Sequence, residues 1–275
     1  MWRRRQGQAP MVRAEFADPR VWWHRGFPDA RQSDIHVRCM TSRFSTPGDD
    51  VVALPGAQQC IGGCVLELQL FSVHRGGRRV VRRASLSVDS PGLLFIVGAS
   101  GAGKSSLLAA LAGGDPEEVT HSGTARLDGK ELGVAGSRAA WVTQHEQLLE
   151  EGALAANLAV LLHLPPRDLP AWLHCHGLDD IVPRLGESCA LLPPSLRRLL
   201  AVLAGLHFEA PLVLVDEPEA GLIEPHVACI RTRLGELSTR CMVVVATQDH
   251  HACQALQGHT ALLAGGAIRA FAHTG

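Results

Sequence analysis

Residues 98 to 105 read Gly98-Ala99-Ser100-Gly101-Ala102-Gly103-Lys104-Ser105, followed by Ser106 and a run of leucine and alanine. The spacing is that of a phosphate-binding loop, G-x-x-x-x-G-K-[ST], placed after an apolar strand and before a helix. Glycines let the backbone curl so that successive N–H groups point inward, and the following helix start adds the positive end of its dipole. Lys104 then reaches the β- and γ-phosphates of a nucleoside triphosphate, and the Ser105 hydroxyl binds Mg²⁺. A glycine-rich turn that merely caps a helix is the plainer alternative. The chain has 24 arginines and only two lysines, Lys104 and Lys130. A lysine kept in the glycine-rich stretch points to a chemical demand there.

A second group of chemical residues lies in LVLVDEP. An apolar strand delivers Asp216 at its carboxyl end, where it holds the water shell of Mg²⁺, and Glu217 beside it can polarise an attacking water. Together the two segments point to a site for a nucleoside triphosphate and Mg²⁺ with a carboxylate beside it that can polarise water.

Elements that position these residues follow from hydrophobic pattern. VLELQLFSV and ASLSVDS read as strands, LLFIVG as a fully buried strand, and KSSLLAALAG as a helix. TARLDG and AAWVTQ are strand candidates, a helix-rich stretch covers 153–188, a helix covers 196–207, and PLVLVDE and CMVVVATQ are strands. Continuous apolar strands interleaved with helices predict an α/β chain with a mostly parallel sheet covered on both faces. The proline-rich helical stretch 153–195 reads as an inserted subdomain. At its end LLPPSLRR reads as a helix start, with Ser195 available as a cap.

Composition bounds the rest. With 275 residues and 46% apolar content the chain can bury a large core. A net charge of -1 leaves no broad footprint for nucleic acid, and none is expected as a partner. The eight cysteines show no paired framework, and neither CIGGC at 60–64 nor the HCH at 174–176 has a partner pair at zinc-ligand spacing. Free thiols and a cytoplasmic chain are expected. No apolar run approaches the ~20 residues of a membrane-spanning helix. Residues 1–55 lack sustained periodicity, carry nine arginines against six acids, and read as an irregular or disordered extension before a domain at 56–275.

Over about residues 65–275 the sequence resembles the nucleotide-binding subunit of ATP-binding cassette (ABC) transporters. The resemblance implies a P-loop NTPase of the ABC ATPase fold, with an N-terminal antiparallel β part beside the parallel sheet and a helical subdomain at about 153–195. In AAWVTQHEQLL, Gln144 stands where the family has the glutamine that senses Mg²⁺ and contacts the membrane subunit. DEPEAGL is similar to the family's Asp-Glu-Pro-Thr-Ser-Gly-Leu-Asp. The tail is similar to phosphate-importer ATPases through Thr260-Ala261, Gly266 and Phe271.

In this family two cassettes sandwich two ATPs, each held between the Walker A loop of one and the signature Leu-Ser-Gly-Gly-Gln of the other. Here LPPSL at 192–196 occupies the signature slot, and Pro193 and Pro194 supply no N–H donors. The switch histidine falls on Gln248, which can hydrogen-bond a phosphate without carrying an imidazolium charge. His250 and His251 lie close by. Ile223 replaces the D-loop aspartate, and the adenine-stacking aromatic falls near Arg75, so Arg75 or His74 is expected to stack on the base.

The resemblance implies an ATPase subunit that dimerises with a second cassette, identical or not, against integral membrane permease subunits at the inner face of the plasma membrane. Lys104 and Ser105 would hold phosphate and metal, Asp216 and Gln144 arrange the metal, and Glu217 act as base with Gln248 beside it. The alternative is a degenerate ATP-binding regulatory module with little or no hydrolysis. A P-loop kinase fits less well, because of Gln144 and the DEP segment.

Overall fold

The computed structural model describes residues 65–115, 117–134, 139–144, 152–208 and 210–274. The extension at 1–55 and the CIGGC pair lie outside the described residues.

Two sheets organise the described residues. The first contains β1 (Val65–Arg75), β2 (Arg78–Asp89), β4 (Val119–Leu127) and β5 (Lys130–Glu131), in the order β2-β1-β4-β5 with antiparallel pairing throughout. The second has six strands: β3 (Gly92–Val97), β6 (Ala139–Val142), β7 (Leu212–Asp216), β8 (Met242–Thr247), β9 (Gly258–Ala264) and β10 (Ala267–Thr274). Its order is β10-β9-β3-β8-β7-β6, parallel except for the β9–β10 hairpin. The chain is therefore α/β with a mostly parallel sheet and an antiparallel part at its N-terminal side.

The apolar runs GLLFIV, LVLVD and MVVVAT become central strands because both of their faces are covered. Alternate residues go to opposite layers. Leu94, Ile96, Leu214 and Val244 pack with the antiparallel sheet and with α1 (Lys104–Ala112), whose Leu107, Leu108 and Leu111 are wholly buried. Phe95, Val97, Val215 and Val245 pack on the other side against α2 (Leu154–Leu162), α3 (Leu169–Cys175), α4 (Pro194–Gly205) and α5 (Glu224–Ser238). A short α6 (His250–Ala255) precedes β9. Each of these leucines contributes about 1.5–3 kcal/mol by leaving water, so both layers are strongly fixed against the sheet.

Helix α4 begins two residues earlier than the sequence pattern predicts. Pro193 is the extended residue before it (ψ 141°), and Pro194 occupies the first turn, where a missing N–H costs nothing and the fixed φ suits the helix. Ser195 therefore sits inside the first turn, and α4 has no side-chain cap, which corrects the expectation of a Ser195 cap. At the far end Gly205 lies against β6: a Cβ there would come within 2.9 Å of Val142 Cγ2.

Candidate nucleotide site

Parallel register brings four segments to one edge of the sheet. Val97 pairs with Thr247, Asp216 with Ala246, and Val142 with Val215. The loop after β3, the acidic pair at the end of β7, Gln248 after β8 and Gln144 after β6 thus emerge together at the carboxyl ends of the strands. Open α/β sheets bind ligands at this edge.

The loop is held by backbone geometry. Gly98 N–H donates to Thr247 O at 3.2 Å, and Gly101 and Gly103 take φ values of 76° and 104°, a region that disfavours side chains. At Gly98 a Cβ would meet Leu263 O at 2.4 Å, so only glycine lets the loop pass β9 this closely. Helix α1 starts at Lys104 with Gly103 as its cap residue, which aims its N-terminus into the loop.

Lys104 and Glu217 meet across this loop. Lys104 Nζ donates to Gly98 O at 2.8 Å and to Ala99 O at 3.2 Å. It also lies 3.1 Å from Glu217 Oε1, with side chains only 5% and 10% exposed. Glu217 reaches this position from a left-handed backbone (φ 47°), uncommon for a non-glycine residue, pinned by its N–H donating to Ala246 O at 2.9 Å. Asp216 is buried immediately before it. Ser105 and Ser106 follow Lys104 in the first turn of α1, Ser106 buried and Ser105 partly exposed.

A cleft of about 810 Å³ opens over the loop, lined by Gly98, Ala99, Ser100, Gly101 and Ala102 on one side and by Gln248 on another. Arg75 lines the cleft, and its guanidinium also pairs with Glu118 at 3.6 Å. Arg78, Arg79 and Arg82 join it, an arginine-rich wall that the sequence reading missed. His74 accepts a hydrogen bond from Arg79 Nε at 3.3 Å. Gln144 and Asp216 are at the same sheet edge but outside the cleft lining, and the Gln144 side chain is exposed.

Two further ties escape the sequence reading. Arg198 on α4 donates to Thr143 O at 3.4 Å and to Glu217 O at 3.5 Å, joining the segment before Gln144 to the one carrying the carboxylate. Arg231 on α5 holds Glu219 through two bonds of 2.9 and 2.8 Å, and this carboxylate raises the Arg231 pKa further. Among 24 arginines neither stood out, although Glu219 lies within the DEPEAGL segment.

In the HCH stretch His174 bonds Asp179 at 2.7 Å, and among the described residues no three His, Cys, Asp or Glu cluster at ligand range. A nucleoside triphosphate fits what is present. The glycine loop, the buried lysine and the aimed helix N-terminus suit its phosphates, and the cleft has room for the nucleoside. The oxygen donors of Ser105, Asp216 and Gln144 suit a hydrated Mg²⁺.

The ABC transporter profile matches residues 81–220. The chain belongs to the ABC transporter family. Among its relatives, the zinc import ATP-binding protein ZnuC of Cereibacter sphaeroides is 29% identical over 191 residues, covering 67% of this chain and 73% of that protein. The lipoprotein-releasing system ATP-binding protein LolD of Alcanivorax borkumensis is 32% identical over 172 residues, covering 58% and 75%. Among solved structures, the fold is that of an Atm1-family ABC exporter with ATP bound (TM-score 0.64, 18% identity, covering 82% of this chain and 41% of that one). It is also that of an ATP-binding subunit of an ABC transporter (TM-score 0.62, 21% identity, 76% and 90%). The chain is thus the ATP-binding, energising subunit of an ABC transporter, an ABC-type ATPase that works with ATP and Mg²⁺. Such subunits dimerise and pair with membrane permeases. No helix among the described residues is long and apolar enough to cross a membrane. The likeness of the β9–β10 hairpin to phosphate importers gains no support from the relatives above, named for zinc and lipoproteins.

Proposed function

We propose that this cassette binds Mg-ATP in the loop at 98–106 and hydrolyses it to drive a permease at the inner face of the plasma membrane. The observation that carries this reading is the buried Lys104–Glu217 pair at 3.1 Å, which supports it by setting the lysine of the glycine-rich loop beside a carboxylate able to accept a proton. Backbone N–H groups of residues 99–101, 103 and 104 and the Lys104 ammonium hold the phosphates, the Gly98 and Ala102 N–H groups being bonded to Thr247 O and Ala99 O. Arg75, with the arginines beside it, lies against the base side of the cleft. Bound Mg²⁺ neutralises charge on the terminal phosphates. Ser105, Asp216 and Gln144 are the proposed metal-side donors. When a phosphate takes over Lys104, Glu217 is released to accept a proton from water, and Gln248 steadies the terminal phosphate as a neutral donor. The helical stretch 153–195 and Gln144 form the proposed permease-facing side, and the transported solute is chosen by that permease.

Steady-state ATP hydrolysis by the chain in membranes containing its permease, compared with Glu217→Gln, tests this. Turnover at least about a hundredfold above the variant supports it, the scale expected for a general base. Equal turnover with intact nucleotide binding favours instead the regulatory module that binds without hydrolysing.

A further inference from the structure

The cleft over the loop carries a wall of positive charge, and a base, being neutral, does not account for it. We propose that this arginine wall is a second anion subsite, so that the cleft takes a nucleotide phosphorylated on its ribose as well as on its 5′ chain. The proposal rests on the reading above, in which the Lys104 loop holds the 5′ phosphates, and it adds a ligand class to that site.

Charge is the first support. The lining of the cleft contains Arg75, Arg78, Arg79 and Arg82 and no carboxylate. Arg75 has Glu118 at 3.6 Å, with both side chains more than half exposed, a pair that water screens and a ligand can replace. Arg78, Arg79 and Arg82 pair with no carboxylate among the described residues. Guanidinium groups do not deprotonate in proteins, so crowding them along one wall costs repulsion that an anion relieves. Arg79 Nε donates to His74 Nε2 at 3.3 Å, which leaves both Nη groups for a ligand.

Placement is the second. The Val80 carbonyl lies against Gly103 and Gly266, where an added Cβ would come within 3.0 and 2.8 Å of it. β2 therefore runs directly beside the loop, and the arginines on either side of Val80 border the same cleft as Gly98 and Ser100. Arg82 is tied there through its backbone, its N–H donating to Gly266 O at 2.6 Å. Gly266 leaves room beside it, since a Cβ at 266 would stand 3.5 Å from Arg82 Nε. The loop N–H groups and Lys104 serve the 5′ phosphates, so an anion for the wall must stand apart from that chain yet belong to the same small ligand. In a nucleotide the ribose hydroxyls are the positions that carry such a phosphate. No aromatic ring lines the cleft, whereas a planar guanidinium both stacks on a base and grips a phosphate through two N–H groups. The wall is concave, within a cleft of about 810 Å³, which suits a nucleotide and not a flat anionic surface. Such a nucleotide competes with ATP for the loop.

The test titrates the full chain in Mg²⁺ with ADP and with adenosine 5′-diphosphate 3′-diphosphate, each displacing a fluorescent, hydrolysis-resistant ATP analogue. The 3′-diphosphorylated probe is expected to bind at least about tenfold tighter than ADP, the scale of one charge-assisted contact. That ratio is expected to fall toward one in Arg79→Gln/Arg82→Gln, and also as salt is raised. Equal affinity of the two probes for wild type overturns the proposal, and is the result if the arginines serve only the 5′ chain or the base. A ratio that the double variant leaves unchanged overturns it as well. Failure of the ATP analogue itself to bind wild type overturns the loop reading too, whereas its binding without preference between the probes overturns this proposal alone. Should the double variant fail to fold, the wild-type ratio decides: a preference that falls with salt supports an ion-paired subsite, and one that salt leaves unchanged contradicts it.

Discussion

Replacing Glu217 by glutamine is predicted to move stability and nucleotide affinity in opposite directions. Without nucleotide, the Glu217 carboxylate lies 3.1 Å from Lys104 Nζ, and both side chains are almost fully buried. Glutamine has nearly the same shape and keeps an oxygen acceptor, so packing is unchanged and only charge assistance is lost, about 1–2 kcal/mol. The loss stays below the roughly 3–5 kcal/mol of a buried pair broken outright. Lys104 is not orphaned, because it still donates to Gly98 O and Ala99 O. At about 2–4 °C per kcal/mol for a domain of this size, the nucleotide-free melting temperature should fall by about 3–6 °C. The same change frees Lys104 from a competing anion, and a gain of about 1.4 kcal/mol tightens ATP binding about tenfold. Thermal melting in chelator without nucleotide, and titration with a fluorescent ATP analogue, read the two signs. In a Lys104→Met background the melting effect should vanish, since the double cycle removes the shared contact. A variant that melts no lower without nucleotide, or that binds nucleotide no tighter, refutes the reasoning.

Other perturbations probe other parts of the molecule. Gly98→Ala drives a Cβ to 2.4 Å from Leu263 O, so the loop must leave β9; melting should fall by an amount equivalent to about 1–3 kcal/mol, and nucleotide affinity should fall with it. Arg231→Met removes both bonds to Glu219 and strands that carboxylate, a loss of about 1–2 kcal/mol that should appear as lower melting and faster amide exchange over 219–224. His176 has its pKa lowered, first by burial and then by Arg233, while its bond to the Trp172 carbonyl and the charge of Glu236 oppose the shift. A depressed folded-state pKa means that the unfolded chain takes up this proton first. The contribution is therefore complete above about pH 6.5 and is lost as pH falls through the folded value. His176→Asn should flatten the acid-side decline of melting temperature below that pH, and an unchanged slope would remove His176 as its source.

The sheet was legible because its central strands are unbroken apolar runs, and the loop because glycine, lysine and serine at fixed spacing have a specific geometric use. Less legible were contacts made across the fold. Lys104 and Glu217 are far apart in sequence, and nothing local says that the carboxylate of one rests on the ammonium of the other. Helix α4 starts two residues earlier than its apolar pattern because Pro194, which the sequence places ahead of the first turn, lies inside it, where a missing N–H costs nothing. Ser195 looked like a cap since its partner amide, Ile223, is 28 residues away. Arg198 was hidden by abundance: in a chain rich in arginine, one more on a helix carries no signal until its guanidinium is seen between Thr143 and Glu217.

The central claim is that the loop at 98–106 holds the phosphates of ATP through Lys104. Its most direct test is an equilibrium titration of the full chain and of Lys104→Ala with Mg²⁺ and a hydrolysis-resistant ATP analogue, with melting of each protein recorded alongside. The account predicts saturable binding by the wild type and at least about a tenfold loss of affinity in a variant that remains folded, the scale of one lost charge-assisted contact. A folded Lys104→Ala chain that binds as tightly as the wild type would contradict it.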